Sequence, residues 1–142
     1  MKKLPFYFFL FLCLNIFAHP NTLTEKYSYE MAYLPTPLPD RVVLTWNDDP
    51  ATTQAVNWRT DVSVQEGIAQ LAIANSNGRA LEPKEFKAET TYFKSDINQA
   101  HYHSVTFKNL KSDTLYAYRV GDGVNWTAVS YTHLTLPTIL PV

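Results

Sequence analysis

The chain has 142 residues, of which 46% are hydrophobic and 18% charged, with a formal net charge of −1. That length holds one domain of ordinary size. The near-neutral balance argues against a nucleic-acid partner, because phosphate contacts need a clustered Lys/Arg surplus. At 14% aromatic the chain is too rich in rings for intrinsic disorder, and its four Gly exclude collagen-like or Gly-rich linker sequence.

Taken in chain order, the first element is an export signal. Lys2 and Lys3 form a basic start, and Leu4 to Ala18 is almost wholly apolar, a run of about 15 residues. This fits a signal h-region and is short of the roughly 20 residues a membrane span needs. Residues 1–18 are therefore predicted to be a signal peptide cut near Ala18, giving a secreted protein (periplasmic or extracellular) with no membrane segment after cleavage. Cys13 follows Leu12, where a lipid-modified cysteine needs a small residue, so a lipoprotein and an uncleaved anchor are the lesser alternatives. Once the signal is removed no Cys remains, and packing rather than disulfides must hold the fold. Residues 19–38 form a leader and Pro-rich linker. Pro35, Pro37 and Pro39 alternate, which keeps this stretch extended and out of a central strand.

From Asp40 onward the dominant period is two, the mark of strands. Arg41 to Trp46 places Val42, Leu44 and Trp46 on one face. Ala55 to Thr60 groups Val56 with Trp58, and Glu66 to Ala74 groups Ala69, Leu71 and Ile73. Phe86 to Phe93 is a Thr- and Lys-rich strand suited to a sheet edge. His101 to Leu110 groups Val105 with Phe107, and Leu115 to Val120 groups Tyr116, Tyr118 and Val120. Trp126 begins a seventh strand. Turn chemistry separates these runs at Asp48-Asp49-Pro50, Asn77-Gly78, Lys111 to Thr114 and Asp122-Gly123. About seven short strands at regular spacing predict an all-β fold, a two-sheet antiparallel sandwich, and the missing Cys pair excludes its disulfide-linked immunoglobulin type.

The C-terminal block Val129-Ser130-Tyr131-Thr132-His133-Leu134 resembles the conceptual translation of a transposase-end sequencing adapter. From Val129 to the end there is no Asp, Glu, Lys or Arg. The domain is accordingly expected over 39–128, with 129–142 an artefactual tail and the natural protein continuing past residue 128. The alternative is a last strand from Ala128 to Leu134 with a Pro-broken end. A half-lost seventh strand would leave an open edge and a chain prone to aggregate.

Leu110-x-x-Asp113-Thr114-x-Tyr116-x-Tyr118-Arg119-Val120-Gly121 resembles the sixth-strand signature of fibronectin type III-like domains. There a Tyr ring fills the core while its hydroxyl returns to nearby backbone; Tyr116 is the candidate, with Trp58 its core partner. A wider set resembles the N-terminal domain of purple acid phosphatases: Pro39-Asp40-x-Val42-x-Leu44-x-Trp46, Asp49-Pro50-Ala51-Thr52-Thr53, Val56-x-Trp58-Arg59-Thr60 and Tyr116 to Asp122. The resemblance implies that the chemistry lies in a following metallophosphoesterase domain. There a dinuclear metal centre, Fe with Fe, Zn or Mn, held by Asp, His, Asn and Tyr, would activate water against a phosphate monoester. Its G-D-x-x, G-N-H-[DE] and G-H-x-H motifs are not convincingly present in this sequence.

Several residues look like sites and read better as structure. Gly121-Asp122-Gly123 mimics the first metal motif but falls between strands, as a turn. His101 and His103 have an i, i+2 spacing that can chelate Zn, but no third ligand is near, so they read as ordinary histidines on a polar strand face. Asp48, Asp49 and Asp61 lack the spacing of a calcium loop. Trp46 and Trp58 fit the inward pattern, whereas Trp126 is open to a sugar-stacking role. Asn125-Trp126-Thr127 has the form of a glycosylation sequon.

No catalytic, cofactor-binding or metal-ligating residue is thus assigned to this chain, which is expected to be inactive alone. Two functions compete. One is a non-catalytic accessory domain of a secreted purple acid phosphatase, packing on the catalytic domain, shaping its rim or supporting a homo-oligomer. The other is a stand-alone or tandem fibronectin type III-like module that binds a partner at the cell surface.

Overall fold

The computed structural model describes residues 33–75, 77 and 80–134. The predicted signal peptide, most of the leader, Gly78 of the Asn77-Gly78 turn and the chain beyond Leu134 lie outside the described residues.

Eight strands follow one another: β1 (Asp40–Thr45), β2 (Gln54–Thr60), β3 (Ile68–Ala74), β4 (Ala80–Lys87), β5 (Glu89–Lys94), β6 (Gln99–Phe107), β7 (Thr114–Gly121) and β8 (Ser130–Leu134). They form two four-stranded antiparallel sheets in the orders β1-β2-β6-β5 and β4-β3-β7-β8. The all-β sandwich is as expected, with one strand more than the alternation suggested.

Alternation sets the core. Val56 and Trp58 on β2 pair with Val105 and His103 on β6, while Ala69 and Leu71 on β3 pair with Val120 and Tyr118 on β7. These inner faces meet in one cluster that also takes in Phe107, Tyr116 and Leu134, with Leu44, Phe86 and Leu110 packed at its margin. Trp58 and Phe107 are the largest fully buried apolar side chains. Phe86 meets the Phe107 ring edge-on at 5.0 Å, an arrangement that suits the ring quadrupoles.

The extra strand comes from the stretch expected as a single strand over Phe86 to Phe93. The structure divides it at Ala88, whose N–H leaves the ladder and donates to the Gly67 carbonyl at 2.9 Å. On one side β4 borders the β3 sheet, and on the other β5 borders the β6 sheet, so the chain changes layers here. Pro83, which has no ladder donor, falls on β4, an edge strand where that loss is tolerated. The seventh strand also starts later than expected. Trp126 makes only an isolated bridge to Gly121, and regular pairing with β7 resumes at Ser130 and runs to Leu134, past the boundary expected at 128. Leu134 is 3% exposed and belongs to the core.

The linker prolines give way to β1 at Asp40. Thr36 offers its carbonyl to the Asp61 N–H at 2.9 Å, tying the linker to the loop after β2. Asp40 lies opposite Arg59, and the two side chains form a two-pronged ion pair, with Arg59 Nε donating at 2.8 Å and Nη2 closing the second prong. The guanidinium is 3% exposed, so this carboxylate neutralises a charge that would otherwise be costly to bury.

Candidate functional site

Every titratable cluster that the sequence offers as a site is spent on structure. His101 and His103 are the clearest case, and their surroundings differ from the expected polar face. On β6 they share the inner face with Val105 and Phe107 and are 7% and 1% exposed. Opposite them on β2 stand Thr60 and Trp58. His103 stacks on Trp58 with ring centroids 5.2 Å apart. Its Nε2 lies 2.8 Å from Thr60 Oγ1 and its Nδ1 2.9 Å from Thr90 Oγ1. Thr60 donates its own hydroxyl proton to the Asp61 carbonyl at 3.1 Å, leaving its oxygen to accept from Nε2. That bookkeeping assigns the neutral ring with its proton on Nε2 and Thr90 donating to Nδ1. Burial pushes His103 down to about 4, His101 adds repulsion, and Asp122 opposes both.

His101 donates from Nδ1 to the Val64 carbonyl at 2.7 Å. Gly67 closes the cluster. A Cβ there would stand 2.6 Å from His103 Nδ1 and 2.8 Å from Trp58 Cζ2, so only glycine lets the backbone approach so closely. Both His103 nitrogens and one of His101 are engaged, and among the described residues no three His, Cys, Asp or Glu side chains are placed to hold a metal ion. The donor set for a dinuclear centre is therefore not assembled by these residues. The polar-face expectation failed because alternation fixes which residues share a face but not which face is inward. Thr60 and Thr90, which make an inward imidazole affordable, come from two other strands.

The acidic candidates are turn-formers. Asp49 Oδ1 accepts the Ala51 N–H and its Oδ2 accepts the Thr52 hydroxyl, each at 2.9 Å. Asp61 Oδ1 accepts from both the backbone and the hydroxyl of Ser63. Asp122 in Gly121-Asp122-Gly123 accepts the N–H groups of Val124 and Asn125 on Oδ1 and the Asn125 side-chain amide on Oδ2. Burial alone would raise Asp122, but these hydrogen bonds outweigh it and hold the carboxyl below its ordinary value. The segment is a turn, as expected, and it also engages the side chain of the sequon Asn125.

The tryptophans part company. Trp58 is core, as expected. Trp46, expected inside, is 67% exposed. It stands one residue beyond the end of β1, whose register shifts between Asp40 and Val43, and it flanks an open groove of about 470 Å³ with Leu44, Pro50 and Leu134. Trp126 is half-buried, and Arg119 lies over its ring at 4.5 Å, so the face a sugar would stack on carries a cation–π contact.

Tyr116 is the tyrosine corner that the sequence signature predicts. Its ring is in the core and its hydroxyl accepts the Lys111 N–H at 2.8 Å. It anchors a β6–β7 loop in which Asn109 and Asp113 both take positive φ, at 58° and 52°. The same loop is held by Leu110 N–H to the Thr52 carbonyl, Ser112 Oγ to the Ala51 carbonyl and Asp113 N–H to the Leu134 carbonyl.

A family model described as "Purple acid Phosphatase, N-terminal domain" matches residues 39–134. The fold is similar to part of a purple acid phosphatase from yellow lupin (Lupinus luteus) seeds, with a TM-score of 0.55 and 15% identity, over 70% of this chain and 20% of that one. A second similar structure is Astrotactin-2, described as a vertebrate-specific, perforin-like membrane protein involved in neuronal development. There the TM-score is 0.48 and the identity 17%, over 72% of this chain and 22% of that one. The chain thus spans about a fifth of the length of the lupin enzyme.

Proposed function

The chain belongs to the purple acid phosphatase N-terminal domain family, and on that premise we propose that it is the non-catalytic accessory sandwich of a secreted metallophosphoesterase. In this reading a following domain hydrolyses phosphate monoesters, and its two metal ions clamp the phosphate and supply a water of lowered pKa. The contribution of this chain is a rigid N-terminal face on which that domain packs. The family match over residues 39–134 carries the reading. The commitment of His103, Asp49, Asp61 and Asp122 to internal hydrogen bonds supports it. The basic, then apolar, start of the sequence supports export.

The test is to sequence the native transcript beyond the codon for Ala128. A G-D-x-x segment followed by G-N-H is the expected result, and a second Pro-bounded sandwich in its place overturns the reading in favour of a binding module. In parallel, the purified chain loaded with Fe, Zn or Mn should turn over no chromogenic phosphate ester. Measurable turnover would contradict a non-catalytic role.

A further inference from the structure

We propose that the groove between β4 and the β6–β7 loop binds an amphiphilic anion, a phosphate-type head carried on an apolar body. Three of the chain's eight lysines, Lys84, Lys108 and Lys111, line this one groove of about 510 Å³. Its size is that of a small-molecule site. Glu82 is the one acidic side chain among its lining residues, so the rim carries a net surplus of two positive charges. That surplus matches a phosphate monoester, which carries nearly two negative charges at neutral pH, better than it matches a carboxylate. Leu71, Phe86 and Leu110 line the same groove, offering apolar surface to the body of the ligand.

Edge protection explains only part of this arrangement. Lys84 lies opposite Leu71 and so on the inner face of an edge strand, where an inward charge discourages strand-to-strand aggregation. Lys108 and Lys111 come from a loop, where no edge needs protecting. The loop hydrogen bonds from Leu110, Lys111, Ser112 and Asp113 hold the loop backbone, so the ordering cost of binding falls on the exposed lysine side chains and not on the loop. The inference does not depend on the accessory-domain reading.

The probe is naphthylmethylphosphonate, whose C–P bond resists phosphatase chemistry, titrated calorimetrically into the purified chain. Naphthylacetate, naphthalenemethanol and inorganic phosphate serve as comparisons. The phosphonate should bind tightest and weaken as salt is raised. Lys108→Ala and Lys111→Ala, both at exposed loop positions, should each weaken it roughly threefold, the size of an exposed charge contact, while Lys94→Ala on β5 leaves it unchanged. Absence of binding overturns the proposal. So does equal binding of the alcohol or of free phosphate, or an affinity indifferent to Lys108 and Lys111.

Discussion

Trp46 and Trp58 occupy equivalent places in the alternating pattern, yet one is 67% exposed and the other 1%. Trp58→Ala should cost about 3–5 kcal/mol through lost transfer energy and a residual cavity, whereas Trp46→Ala should stay within about 0.5 kcal/mol, as exposed positions do. Chemical denaturation of the two variants checks this. His103 makes a different prediction. Its ring is held near 4 in the folded protein against 6.5 for the ordinary group, so the unfolded chain binds the proton more readily. Folding stability is then fully present above about pH 6.5 and falls as pH drops toward 4, by about 3 kcal/mol in all at 1.36 kcal/mol per pKa unit. Denaturation midpoints measured between pH 7 and 4 should follow that slope. In His103→Phe the slope should flatten, although the variant starts less stable for want of its two threonine contacts.

The last strand carries the sharpest test at the scale of elements. β8 covers the β7 edge from Thr114 to Tyr118 and sends Leu134 into the core. A chain ended at Ala128 should therefore lose its cooperative thermal transition and aggregate, while one ended at Leu134 melts in a single step. Equal melting of the two would show β8 to be dispensable. The strands legible in the sequence were those with strict alternation. β2, β3, β6 and β7 fall within a few residues of their expected bounds. The edge strand β1 also lies within one residue of the expected Arg41 to Trp46, whereas the edges β4 and β5 were not legible. β4 and β5 have weak alternation, and the division at Ala88 depends on a carbonyl of Gly67, far away in sequence. The tyrosine corner was legible because its spacing and its hydrogen bond are both local. The lysine groove was not, since Lys84 and Lys108 meet only through the fold.

For the molecule as a whole, these observations describe a sandwich whose polar side chains are largely engaged by its own strands and turns, with Trp58 Nε1 the buried exception among the described residues. Thr60, Thr90 and the Val64 carbonyl engage the two histidines, and backbone amides engage the turn carboxylates of Asp49, Asp61 and Asp122. In the proposed reading, such a sandwich contributes surfaces to the domain that follows it. The histidine rings are the most direct place to examine this. Their nitrogen chemical shifts, followed by NMR at pH 6 while Zn²⁺ is added, should report His103 neutral with its proton on Nε2, and neither His101 nor His103 should respond to the metal. Saturable shifts of both rings on adding Zn²⁺ would mean that the histidines form a metal site, and the account of a passive core would be contradicted.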